Sequence, residues 1–213
     1  MINLNDTAQA TSPKVAANVI LAHGAGNDQY SEFMQSCKLV FAEQGIHCHL
    51  FDFPYMEKAR ALGKRRPPDK MDRLIDSFQQ EIAKFIDSDL PLFIGGKSMG
   101  GRVASMILEE SEVQGGICFG YPFHPPGKPE KTRTEHLKEL QKPLCIVQGQ
   151  RDPFGKPEEI ASYCLSDAVQ VHILEQGDHS FTTPKKSQIS SVQNIQRAVA
   201  LAADFIRTKL GVL

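Results

Sequence analysis

The sequence predicts an α/β fold: a three-layer α/β/α sandwich on a mostly parallel sheet of about six strands, without a large lid. Three observations predict it. Six short β-rich apolar runs, at 19–22, 46–53, 92–95, 116–119, 144–148 and 169–174, each end in glycine or a polar turn. Between them lie longer stretches with apolar residues three or four apart, as in Leu74, Phe78, Ile82 and Phe85 or Ile195, Val199, Ala202 and Phe205. The runs themselves are nearly continuous in apolar character, which marks strands covered on both faces.

A chain of 213 residues supports one domain with a sizeable core, expected to fill 1–213 with an N-terminal extension at 1–17. Its 24 basic and 25 acidic side chains leave a net charge of −1, so no basic footprint for nucleic acid stands out. No apolar run approaches the roughly 18 residues of a membrane span. The N-terminus lacks a signal-peptide pattern. The five cysteines (Cys37, Cys48, Cys118, Cys145 and Cys164) are odd in number and never in C-x-x-C spacing, which fits a reducing cytoplasm.

In such sheets ligands bind at the carboxyl ends of the strands, so the loops there carry the functional reading. The first run opens into His23-Gly24-Ala25-Gly26. A glycine-rich turn at this place lets backbone N–H groups face a reacting carbonyl. We expect Ala25 to supply one oxyanion donor, Gly24 and Gly26 to line the substrate, and His23 to brace the turn. The second run carries His47 and His49 on one face; no cluster of matching spacing makes them metal ligands. After it, Glu57–Lys70 holds Lys58, Arg60, Lys64, Arg65, Arg66 and Lys70. We expect a solvated loop ahead of a helix starting near Asp69. A sharper alternative has Arg65 or Arg66 reaching the pocket to favour a carboxylate- or phosphate-bearing substrate.

The third run leads into Gly96-Lys97-Ser98-Met99-Gly100, a G-x-S-x-G pattern between a strand and a helical stretch through Val103, Ile107 and Leu108. That is the context a nucleophile elbow requires, with the Met99 N–H as second oxyanion donor. The same Gly-Lys-Ser fails as a phosphate-binding loop, because Pro91 stands where that motif needs glycine. The similar Gly116-Ile-Cys118-Phe-Gly120 runs into Tyr-Pro-Phe-His-Pro-Pro, which cannot start a helix, so Cys118 reads as a buried strand residue. His124 in that stretch is a candidate substrate contact.

A serine needs a base, and the base needs an orienting acid. Asp152 follows the fifth run in Gly-Gln-Arg-Asp-Pro-Phe-Gly, and His179 follows the sixth in Gly-Asp-His-Ser-Phe. The order Ser98, Asp152, His179 places each on the loop after a later strand. Asp178 is a poor acid, since adjacent loop side chains rarely face one another. His172 reads as structural and His136 as a solvated residue of a charged stretch.

HGAG, GGKSMGG, QGQRDPFG and GDHSF, in this order, resemble the α/β-hydrolase superfamily, nearest its dienelactone-hydrolase-like members. More narrowly, FDFPYM, GKRRPPDK, GGKSMGGRVAS and GYPFHPPGKPEKTRTEHL are similar to a group of small bacterial α/β-hydrolases. That group is related to the testis-expressed protein and to the hydrolase-like domain of a non-specific-lethal complex subunit. The resemblance implies a minimal hydrolase fold with Ser98, Asp152 and His179 as triad and Ala25 and Met99 as oxyanion donors. Lys97 departs from the commoner G-H-S-x-G.

The expected function is a cytoplasmic serine hydrolase of small acyl esters or thioesters, working through an acyl-enzyme. It needs no metal or cofactor and no nucleic-acid or membrane partner. The alternative is a silent hydrolase-like scaffold for protein interaction. A shallow, open pocket is expected, with specificity set by 55–68 and 123–131.

Overall fold

The computed structural model describes residues 16–212, so nearly all of the expected extension at 1–17 lies outside the described residues. Six strands form one sheet: β1 (Ala17–Ala22), β2 (Ile46–Phe51), β3 (Leu92–Lys97), β4 (Gly115–Phe119), β5 (Leu144–Gly149) and β6 (Val169–Leu174). Their spatial order is β2-β1-β3-β4-β5-β6, and every neighbouring pair is parallel.

Both faces of β1, β3, β4 and β5 are buried, which is why these strands read as nearly unbroken apolar runs, while the edge strands β2 and β6 expose His47 and Gln170. On one face Val19, Leu21, Phe93, Ile117 and Val147 pack against α1 (Glu32–Glu43) and α6 (Ser191–Leu210). The alternate residues Ile20, Ile94, Cys118 and Ile146 face the opposite layer. That layer comprises α2 (Pro54–Leu62), α3 (Met71–Ala83), α4 (Met99–Ile107) and the single turn α5 (Pro157–Ile160).

The segment from Tyr121 to Lys142 contains one short 3-10 turn, Glu135–Lys138, and no lid helix. The expected loop at 57–70 is in part helical, because α2 covers its first residues. Pro54 sits at the helix start, where its missing N–H costs nothing, and Gly63 ends the helix in the left-handed region at φ 59°. Among the described residues, no helix is long and apolar enough to cross a membrane.

Chain order reverses between β1 and β3: the chain goes outward from β1 to β2, then returns to place β3 on the other side. A crevice opens at such a point outside the carboxyl ends of the strands. The loops after β1 and β3 meet there.

Candidate active site

Ser98 follows β3 and caps α4 with φ 51° and ψ −111°, a region that residues with a Cβ rarely enter. Its N–H is held by the Phe119 carbonyl at 2.9 Å, which anchors the turn to β4. The flanking glycines are steric requirements. A Cβ on Gly96 or on Gly100 would run into the Ala22 carbonyl oxygen, so α4 packs over β1 only without side chains there. The sharp turn thus presents the serine outward while burying its neighbours.

His179 arrives on the loop after β6. Its Nε2 lies 2.9 Å from Ser98 Oγ, and its Nδ1 lies 2.7 Å from Asp152 Oδ2. Asp152 is fully buried. Its carboxylate also accepts from Gln148 Nε2 at 3.0 Å and from the Phe154 N–H at 2.8 Å. Three donors therefore compensate its burial and fix its direction. The Phe154 ring lies over the His179 imidazole at 4.3 Å between centroids. Asp178 instead shapes the turn: its Oδ1 accepts from the N–H groups of Ser180 and Thr182.

Two basic residues hold the His179 loop. Arg151 donates through Nε to the Gln176 carbonyl at 2.9 Å and through its guanidinium to the Thr182 carbonyl at 3.0 Å. Lys97, 8% exposed, donates to the His179 carbonyl at 2.6 Å and lies over the Phe181 ring. Burial lowers its pKa to about 8, a shift opposed by the charges of Asp152 and Asp178. Neither hold is legible in the sequence, because each acceptor is a backbone carbonyl.

The loop after β1 completes the crevice. Gly24 packs on the elbow, so that a Cβ there would sit 3.5 Å from the Ser98 Cβ. Among the described residues, the N–H groups of Ala25 and Met99 donate to no protein acceptor. His23 is fully buried and braces the turn: Nδ1 meets the Gly24 carbonyl at 2.8 Å and Nε2 accepts the Phe53 N–H at 3.1 Å. Burial lowers its pKa, keeping the ring neutral.

Asp52, which the sequence reading missed, fixes the far side of this loop. It accepts from the Gln29 N–H at 2.7 Å and from Gln29 Nε2 at 3.0 Å, and it pairs with Arg60. Its position just past the end of β2 was the available signal.

Other expectations require correction. His124 is 3% exposed, with Nδ1 2.9 Å from the Pro125 carbonyl and Nε2 3.2 Å from Glu159. Both nitrogens are engaged within the chain, so it braces its loop instead of offering a free group to substrate. His136 is half-buried rather than solvated. Its Nε2 lies 2.9 Å from Ser105 Oγ, and burial beside Arg102 lowers its pKa to about 4. Arg65 and Arg66 are exposed and line a cleft with Gly26. Among the described residues no group of three His, Cys, Asp or Glu is placed to hold a metal ion.

A parallel sheet with this elbow, and with acid and imidazole on the following strand loops, defines a hydrolase-type α/β protein. More narrowly, a family model described as an alpha/beta hydrolase domain matches residues 15–207, and the chain belongs to that family. Solved structures share the fold. A dienelactone hydrolase from Anabaena variabilis superposes with a TM-score of 0.71 at 21% identity, covering 91% of this chain and 87% of the other. The esterase Pf2001 of Pyrococcus furiosus gives 0.64 at 18% identity, covering 92% and 81%. Est1E from Butyrivibrio proteoclasticus gives 0.63 at 14% identity, covering 94% and 90%.

Proposed function

We propose that the chain is a serine hydrolase acting on esters or thioesters of small acyl groups. The observation that carries this reading is the continuous hydrogen-bonded series from Ser98 Oγ through His179 to buried Asp152, at 2.9 and 2.7 Å. In this reading His179 Nε2 takes the Ser98 proton as Oγ attacks the carbonyl carbon, and the carbonyl π pair moves onto oxygen. Asp152 keeps the Nδ1–H tautomer and stabilises the imidazolium. The N–H groups of Ala25 and Met99 receive the oxyanion. Collapse expels the alcohol or thiol with the proton from His179, leaving an acyl-serine. Water, deprotonated by the same imidazole, then releases the acid and restores Ser98.

The similarity to esterases and a dienelactone hydrolase supports the reaction class. The absence of a lid helix between Tyr121 and Lys142 supports small substrates.

The test is a panel of acyl esters and thioesters of graded length, assayed with wild type and Ser98→Ala, beside labelling with a fluorophosphonate. Turnover and labelling that vanish together in Ser98→Ala are expected. Turnover surviving in that variant removes Ser98 from the role. A folded wild type that neither labels nor turns over any substrate favours the interaction scaffold instead.

A further inference from the structure

Beside the Gly24–Gly26 loop the structure opens a second concavity of about 440 Å³. Helix α2 forms one wall through Arg60, and the αL turn at Gly63 folds the chain back so that Lys64, Arg65 and Arg66 line it together with Gly26 and Asp28. We propose that this cleft receives an anionic oxygen group of the substrate, a phosphate or a carboxylate, a few bonds from the scissile carbonyl. The inference rests on the hydrolase reading of Ser98 and names the substrate class of that same site.

Charge is the first argument. Arg60 is committed: it pairs with buried Asp52 and lies 4.8 Å over the Tyr30 ring, so it stiffens the wall more than it attracts ligand. Lys64, Arg65 and Arg66 are exposed and, among the described residues, join no ion pair. The lone carboxylate in the lining, Asp28, accepts the Tyr30 N–H at 3.0 Å. Three uncommitted cations thus face one carboxylate inside a concave surface. A single exposed cation is worth little, but convergent ones in a cleft focus the field, and guanidinium groups match carboxylate or phosphate oxygens two at a time.

Distance is the second argument. Gly24 touches the elbow and Gly26 lines the cleft. Two residues of chain span at most about 7 Å, and with the gap from Gly24 to Ser98 the edge of the cleft lies within roughly 10 Å of Ser98, in reach of a substrate arm a few bonds long.

The test has two arms, both on the full chain. The first measures kcat/KM for aryl esters of equal length ending in a neutral amide, a carboxylate or a phosphate. The second measures binding of inorganic phosphate by calorimetry. The anionic esters are expected to be preferred at low salt, with the preference shrinking as ionic strength rises. In Arg65→Gln/Arg66→Gln the anionic-to-neutral ratio falls about tenfold, through KM, and phosphate binding weakens equally. Lys58→Gln, on α2 but outside the cleft, keeps the wild-type ratio. An unchanged ratio and unchanged phosphate binding in the double variant overturn the proposal while leaving the hydrolase reading intact. Phosphate binding that depends on both arginines, without turnover of any ester, keeps the cleft and removes the hydrolase reading.

Discussion

The ammonium of Lys97 donates to the backbone carbonyl of His179 at 2.6 Å, joining the residue before Ser98 to the loop that carries the imidazole. One buried cation thus fixes the distance between two loops that come from β3 and β6. It lies near Asp152 without pairing to it, so its charge also offsets that of the buried acid.

Lys97→Met fills similar volume but removes the tether, and its kcat is expected to fall roughly 10–100-fold with KM little changed. The same variant has a pH signature. Burial holds the Lys97 pKa at about 8 against its ordinary 10.5, so between these values the unfolded chain binds more protons. The group's contribution to stability therefore rises with pH across that window. Melting curves are expected to show wild type gaining on Lys97→Met by roughly 3 kcal/mol from pH 8 to 10.5. A constant difference across that range refutes the buried-cation assignment.

Asp152→Asn should fold, because it keeps the size of the side chain and an oxygen for the Phe154 N–H, while the oxygen shared by Gln148 Nε2 and His179 Nδ1 becomes an amide nitrogen. Its kcat is expected to drop about 10³–10⁴-fold through loss of the imidazole tautomer. Single-turnover acylation measures this, and a loss under tenfold contradicts the role given to the carboxylate.

Gly96→Ala and Gly100→Ala each push a methyl into the Ala22 carbonyl. A stability loss of about 3 kcal/mol or more is expected for either, read by urea unfolding. Gly26→Ala has open space but a φ of 80°, so its smaller loss, about 1 kcal/mol, comes from backbone strain alone.

All five cysteines are free thiols, and only Cys164 is exposed. Burial raises the pKa of Cys37, Cys48, Cys118 and Cys145, so they are poor thiolates. Native protein is expected to react quickly at one thiol and unfolded protein at five; Cys164→Ser removes the fast phase.

The sheet was legible because the four central strands are buried on both faces and appear as apolar runs, and the edge strands β2 and β6 keep apolar residues on alternate positions. Ser98, Asp152 and His179 were legible because elbow glycines and strand-end loops leave local patterns. Helix α2 was not, since Tyr55 is its one buried residue and its charges resemble a solvated loop. The brackets at Pro54 and Gly63 were the overlooked signal. The roles of Lys97, Arg151 and Asp52 depend on contacts with backbone groups or with residues far along the chain. Such partners have no spacing rule, so only the folded structure reveals them. The same holds for His136, whose cover comes from Ser105 on α4, 31 positions away in the chain.

The backbone at Ser98, φ 51° and ψ −111°, places a serine where glycine would be more comfortable. Holding a side chain in such a region costs about 1–3 kcal/mol. Ser98→Gly should therefore melt above Ser98→Ala, reversing the usual order in which glycine is the more destabilising of the two. On the role proposed for Ser98, the substitutions that most stabilise this turn are therefore the ones that remove the hydroxyl the chemistry would need.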